Sequence, residues 1–135
     1  MEDRSIIELS KYRFDKALSN IEIAKKLYGT GDYEVALNRA YYSAFDAMRA
    51  VNALDGFDSS KHSGVISNFN HMYVKTGIFP ASTSSIIRDA SILREKSDYE
   101  DFYEADEDET SDIISSIESF LRNVENYLRS KSVIE

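Results

Sequence analysis

The segment from residue 37 to residue 54 constrains the fold of this chain more than any other. Its apolar and small residues recur at alternating steps of three and four, the spacing of one packed face of an α-helix. Three alanines lie in the middle of that face, so a neighbouring helix has room to approach closely. The pattern predicts a buried helix in a helical bundle, packed through Leu37, Ala40, Ala44, Ala47, Val51 and Leu54.

The opposite side of the same helix is polar and aromatic. At about 100° per residue, Arg39, Tyr42, Asp46 and Arg49 fall on that side. A guanidinium group suits phosphate, and a tyrosine ring can stack on a base. This side therefore predicts a contact with a ligand, a partner or a second copy of the chain. A purely structural alternative is a surface ion pair of either arginine with Asp46.

Hydrophobic periodicity predicts an all-α fold, an up-and-down bundle of about five helices. No segment alternates with period two over a useful length, and short connections favour antiparallel neighbours. Asp32 is predicted to cap the second helix, while Leu18 and Met72 are predicted to face inward from the first and third. The predicted helices cover about residues 5–28, 33–54, 60–75 and 82–94, and the fifth begins near Thr110.

Length and composition favour one soluble domain over residues 1–135. A chain of 135 residues is long enough to bury a core without a metal or a disulfide. It contains no cysteine, which excludes thiol redox chemistry, thiolate metal sites and disulfides. No apolar run approaches the ~18 residues that span a bilayer, and the first residues lack a secretory signal pattern. The expected location is the cytoplasm, with no membrane partner.

The acidity of the chain is local. Of the 24 acidic residues, eight lie between Asp98 and Glu109, and the other 16 balance the 16 Lys and Arg. Without a basic stripe, any nucleic acid must be held by a few arginines in a cleft. The run resembles the start of a calcium loop, but Ser111 replaces the required glycine and Ile117 the final glutamate. We predict no metal and no cofactor, and a solvated or partner-facing role for the run.

Arg94 and His62 are further candidate site residues. Arg94 is predicted at the end of the fourth helix, where a cation is favourable without any function and where Asp98 is a second available partner. His62 lies near the start of the third helix, and its unperturbed pKa suits a general acid or base. A capping or surface role is the structural alternative for His62, and His71 is expected to be solvated.

Several sequence blocks, taken together in their order along the chain, are characteristic of a known family. The blocks are Gly31-Asp32-Tyr33 with Ala36, residues 38–45, Lys61-His62-Ser63-Gly64-Val65 with Phe69, residues 74–77 before Pro80, and Leu93-Arg94 leading to Asp98-Tyr99. They resemble the HEPN domain family in its small, single-domain bacterial and archaeal branch. The resemblance implies a dimeric bundle of about five helices, encoded in many cases beside a minimal nucleotidyltransferase with which it forms a toxin–antitoxin pair. Active members of the family are metal-independent ribonucleases, with an arginine followed four to six residues later by a histidine in a cleft at the dimer interface.

This chain keeps the motif arginine as Arg94 but has no histidine in the window that follows. Tyr99 stands where the histidine would serve, and a phenol with a pKa near 10 is a poor base at neutral pH. We therefore predict an interaction module that binds nucleotide or RNA through Arg39, Tyr42, Arg94 and His62. The alternatives are an active endoribonuclease toxin with Arg94, His62 and Tyr99 as catalytic candidates, and a purely structural homodimeric scaffold.

Overall fold

A computed structural model describes residues 4–135 and shows an all-α bundle, as predicted. The described residues contain no β-strand. Residues 1–3, on which the expectation about a secretory signal partly depends, lie outside the described part. The helices are α1 (Arg4–Gly29), α2 (Tyr33–Ala53), α3 (His62–Phe69), α4 (Ser82–Tyr99) and α5 (Glu107–Ser130), and a π-helical turn, Asn70–Val74, follows α3 directly.

Helix α2 is the centre of the bundle and packs against all four other α-helices. The predicted alanine face is confirmed, because Ala40, Ala44 and Ala47 are at most 1% exposed. Close approach to α1 is also marked by two buried hydroxyl groups. The Ser43 hydroxyl donates to the carbonyl of Ala17, and the Ser10 hydroxyl donates to the carbonyl of Ala50, both at 2.7 Å.

The turn between α1 and α2 requires a glycine. Gly31 has a φ of +83°, in the left-handed region that side chains disfavour. Asp32 occupies the predicted N-cap position of α2, but its carboxylate makes no capping hydrogen bond. The carboxylate instead accepts a hydrogen bond from the Thr30 hydroxyl at 2.7 Å, which turns it back towards the loop.

Two residues predicted to face inward are partly exposed, Leu18 at 38% and Met72 at 39%. Helix α1 buries the small Ala17 instead, so that Leu18 is left at the edge of the bundle. Met72 lies in the π-helical turn, where the Lys75 N–H donates to the carbonyl of Asn70, five residues earlier. That wider turn breaks the 3.6-residue phase on which the prediction depended.

The prediction for the end of the fourth helix is also wrong, because α4 continues five residues past Arg94 to Tyr99. An i,i+4 contact between Arg94 and Asp98 lies across this extra turn, and Asn38 of α2 donates to the same carboxylate. Helix α5 also begins earlier than predicted, at Glu107. The Asp106 carboxylate caps it by accepting a hydrogen bond from the Glu109 N–H at 2.8 Å. The connection is therefore only residues 100–106.

Aromatic side chains join the π-helical turn and the segment after it to α5. The Phe69 ring lies 5.2 Å from Phe79 and 5.6 Å from Phe120, measured between ring centroids. Tyr73 extends this group towards the end of α2, where its hydroxyl donates to the Asp55 carboxylate at 2.5 Å and lies 3.2 Å from the carbonyl of Val51. Among residues 4–135, no helix is long and apolar enough to cross a membrane.

Candidate functional site

Five side chains from three helices meet beside the alanine face of α2, and we call them the arginine–tyrosine cluster. Arg39, Tyr41 and Tyr42 come from α2, His62 is the first residue of α3, and Arg94 lies in α4. Tyr41 and Tyr42 are adjacent in sequence, and their rings meet edge to face at 5.2 Å. The cluster forms because α2 packs against both α3 and α4.

Arg94 carries its charge into a largely buried position and is only 7% exposed. Its guanidinium carbon lies 4.7 Å from the Tyr41 ring centroid and 5.9 Å from that of Tyr42. Nη1 is 3.4 Å from the Asp98 carboxylate, as the structural alternative predicted, whereas the buried Nε has no hydrogen-bond partner. Burial alone would lower the pKa of Arg94, but the two tyrosines and Asp98 together raise it, so the group stays charged.

Arg39 is held by amide groups and by a ring. Its Nε and Nη2 donate to Asn38 Oδ1 at 3.0 and 2.7 Å, and Nη1 donates to Asn20 Oδ1 at 3.2 Å. The guanidinium carbon lies 5.3 Å from the Tyr42 ring centroid. Neutral partners leave the positive charge of Arg39 uncompensated by any of these contacts. This half-buried guanidinium is therefore suited to an anion.

The surface ion pairs offered as a structural alternative for α2 are not formed. The Asp46 carboxylate accepts a hydrogen bond from the Asn20 amide at 2.9 Å, and Arg49 pairs with Asp58. Asp46 is 7% exposed, and burial raises the pKa of its carboxyl group although Lys16 and the Asn20 amide act in the opposite direction. Arg39 therefore makes no ion pair with Asp46 and lies over the Tyr42 ring instead.

His62 lies against three aromatic rings and one hydroxyl. Its ring centroid is 4.4 Å from that of Phe45, and its Nδ1 is 3.1 Å from the Tyr41 hydroxyl. Burial lowers the pKa of His62, and the charge of Arg94 lowers it further. The imidazole is consequently neutral at pH 7. A neutral imidazole accepts a proton or a hydrogen bond more readily than it adds a charge beside Arg94.

The Tyr41 hydroxyl stays protonated at neutral pH, because burial raises its pKa more than the charge of Arg94 lowers it. The protonated phenol donates to His62 Nδ1 in the imidazole tautomer that carries its proton on Nε2.

Four of the five residues predicted for the site lie in the cluster, namely Arg39, Tyr42, His62 and Arg94. Tyr99 does not join them, because it ends α4 at 76% exposure. Among the described residues, no group of His, Cys, Asp and Glu side chains is arranged to hold a metal ion.

Tyr41 and Asn38 were missed as site residues. Tyr41 falls between the apolar and polar sides of the helical pattern, so periodicity alone assigns it to the core. Asn38 acts through a contact sixty positions away, since its amide nitrogen donates to both Asp98 oxygens, at 3.1 and 3.3 Å. The one available signal was that both residues lie in the block from residue 38 to residue 45, which is unusually rich in polar and aromatic side chains.

Comparison with known proteins gives a consistent result. A family model described as the HEPN domain matches residues 10–127. The chain is 30% identical over 135 residues to a Methanocaldococcus jannaschii protein named "Putative toxin". The match covers 100% of this chain and 91% of that protein. It is 32% identical over 127 residues to a Thermotoga maritima "UPF0332 protein", with 94% of each chain covered. A second M. jannaschii "Putative toxin" is 31% identical over 113 residues, with 84% of each chain covered.

Proposed function

The chain belongs to the HEPN domain family, and from this premise we propose that it is a toxin-like protein that binds RNA or a nucleotide through the arginine–tyrosine cluster. The relatives that carry a toxin name support the toxin-like role. We also propose that the chain binds its ligand without efficient cleavage and works as the partner of a minimal nucleotidyltransferase. A homodimer is the assembly that the family resemblance suggests.

The observation that carries this proposal is the pairing of two guanidinium groups with two adjacent tyrosine rings. Arg39 lies over Tyr42, and Arg94 lies over Tyr41. Guanidinium groups bind phosphate oxygens through several directed N–H bonds, and tyrosine and arginine planes stack on bases. A half-buried Tyr42 between two cations therefore offers both parts of a nucleotide a complementary surface.

Two features oppose efficient cleavage of an RNA strand. Asp98 places a carboxylate 3.4 Å from Arg94, where it competes with a phosphate for the same guanidinium. Within the residue window in which active family members carry a histidine, this chain has none. An acid–base mechanism would have to use His62, whose Nδ1 is engaged by Tyr41.

The direct test is a binding titration of a labelled single-stranded octanucleotide RNA and of AMP. Replacing Arg39 by Gln removes the charge on a half-buried side chain, and we expect a loss of about tenfold in affinity, the size of one charge-assisted hydrogen bond. Arg94→Ala should weaken binding similarly. The matched control is Arg88→Ala, which removes an exposed arginine of α4 that pairs with its neighbour Asp89. Equal affinities for Arg39→Gln and Arg88→Ala would contradict the proposal.

An active endoribonuclease is the second candidate, and one observation favours it. The charge of Arg94 lowers the pKa of the His62 imidazole, which is therefore neutral. A neutral imidazole is a usable base, and the neighbouring Arg94 would stabilise a phosphorane-like transition state. Metal-free cleavage that is lost in both His62→Gln and Arg94→Ala, but kept in His71→Gln, would establish it. No saturable binding and no cleavage would leave the structural scaffold.

A further inference from the structure

A second pair of arginines lies where α1 packs against α2, outside the arginine–tyrosine cluster, with Arg13 buried at 8% exposure and Arg49 partly exposed. Arg13 of α1 and Arg49 of α2 both contact one oxygen of Asp58, Oδ1, with their Nη2 atoms at 3.1 and 3.0 Å. Arg13 Nη1 also donates to the Arg49 carbonyl at 3.5 Å. Two guanidinium groups thus share a single carboxylate, which leaves one formal positive charge uncompensated.

The donors of this pair exceed the acceptors that the structure offers them. Arg49 Nε is buried and has no hydrogen-bond partner, although its side chain as a whole is 27% exposed. Asp58 lies in the connection between α2 and α3, and its side chain is 61% exposed. The carboxylate occupies a position in which a phosphate group, with more oxygens, would meet more of the available N–H groups.

Polar side chains lie between this pair and the cluster along the α1–α2 contact. Asn20 of α1 accepts a hydrogen bond from Arg39 and donates one to Asp46, which lies one helical turn before Arg49. Arg39 and Arg49 are ten residues apart on α2, about 15 Å along the helix axis. A single phosphate group cannot bridge that distance, whereas the backbone of an extended oligonucleotide can.

We infer that Arg13 and Arg49 form a second phosphate site, which Asp58 fills in the free protein, and that the ligand is a single RNA strand running along α2. The inference rests on the proposed function and refines it. Under this arrangement a mononucleotide contacts the cluster alone. An oligonucleotide contacts both sites and displaces the Asp58 carboxylate from the two arginines.

Asp58→Asn is the most informative variant, because asparagine keeps an oxygen that can accept from both arginines while removing the negative charge. We expect the affinity for the octanucleotide to rise by roughly fivefold, as for an ion pair at the upper end of surface values, with AMP affinity unchanged. The dependence of log K on log salt should steepen by about 0.7 for the added phosphate contact. The matched control is Asp89→Asn, which frees the exposed Arg88 on α4 with the same change in net charge.

Arg49→Gln supplies the opposite test and should lower octanucleotide affinity while leaving AMP affinity unchanged. If Arg39→Gln weakens both ligands but Arg49→Gln weakens neither, the second site is wrong and the proposed function stands. If the wild-type chain binds neither ligand, both proposals are wrong. If Asp58→Asn lowers the thermal midpoint without raising octanucleotide affinity above that of Asp89→Asn, the arginine pair only tethers the α2–α3 connection.

Discussion

Arg94 shows how a single residue keeps a charge inside a small protein. An isolated buried guanidinium would be costly, but Tyr41 supplies the face of its ring and Asp98 supplies a carboxylate. The compensation is incomplete, since Nε remains without a partner. Removing Asp98 would leave the Arg94 guanidinium with a higher affinity for anions. Removing Arg94 would leave Tyr41 and Asp98 without the cation between them.

His62 makes the stability of the fold depend on pH. Burial and the charge of Arg94 lower its pKa in the folded protein, so the unfolded chain takes up a proton more readily. Above the unfolded pKa of about 6.5 neither state is protonated and His62 adds no pH dependence. As the pH falls below that value, the unfolded state is stabilised and the free energy of unfolding decreases.

We expect the wild-type chain to lose more stability between about pH 7.5 and about pH 5.5 than His62→Gln does. Urea unfolding at the two pH values measures this difference. Comparing how much the free energy of unfolding changes between the two pH values cancels the effect of the substitution on packing. His71→Gln is the control, because His71 is exposed, and it should follow the wild type. Equal changes for wild type and His62→Gln would show that the histidine is not held neutral.

The residue scale also marks the limit of what the sequence predicts about the site. Arg39 and Tyr42 could be named because helical periodicity places both on the polar side of α2. Residue type and predicted position at a helix end identify Arg94 and His62 as candidates, and the family resemblance adds weight to Arg94, but only the fold brings both to Tyr41. The Asn38–Asp98 contact joins residues sixty positions apart, for which a single sequence carries no local signal.

At the scale of elements, the alanine face of α2 decides how closely α1 and the other helices approach. Ala47 is fully buried in the middle of that face. Ala47→Leu adds three carbons where no space exists, so we expect the free energy of unfolding to fall by about 1–3 kcal/mol. Val35→Leu on the same helix is the control, because Val35 is 53% exposed, and it should change stability by less than about 0.5 kcal/mol. Urea unfolding measures both variants. An unchanged free energy of unfolding in Ala47→Leu would show that the alanine face of α2 is loosely packed.

Periodicity predicts the helices of this chain well where α-helical phase is kept and poorly where it is broken. The five helices and the breaks at Gly31 and near Pro80 follow from local pattern and turn residues. The π-helical turn does not, because its wider hydrogen-bond spacing is a response to packing. The last turn of α4 was missed for a different reason. Its acidic residues suggested a loop, and the contacts of Asp98 with Asn38 and Arg94 appear only in the folded protein.

The acidity of the molecule is concentrated in one stretch of the chain. The acidic run between Asp98 and Glu109 forms the end of α4, the connection 100–106 and the start of α5. Three acids in the first turn of α5 favour that helix through its dipole. The four arginines invoked for binding lie in α1, α2 and α4, so a net charge of −8 does not prevent a local anion site. Salt screens the attraction between these arginines and a phosphate, but it also screens the repulsion between an anionic ligand and the net negative charge. We therefore expect binding to weaken with salt less steeply than the phosphate contacts alone would predict.

We propose that residues 1–135 fold as one domain, and Phe120 offers the test of this at the scale of the whole molecule. Phe120 is 1% exposed and contacts the rings of Phe69 and Phe79 from α5. Phe120→Ala should lower the free energy of unfolding by about 3–5 kcal/mol through the lost transfer energy and the cavity. In a single cooperative unit, far-ultraviolet circular dichroism and tyrosine fluorescence must shift together, since α2 contacts every other α-helix.

The chain provides its own control for this experiment in Phe102, which is fully exposed in the connection between α4 and α5. Phe102→Ala removes the same side chain from the surface and should change stability by less than about 0.5 kcal/mol. Two separate transitions in Phe120→Ala, one for the α1–α2 pair and one for the segment that packs on α5, would divide the molecule into two units. The cluster, whose members come from α2, α3 and α4, would then lose its geometry before α1 and α2 separate.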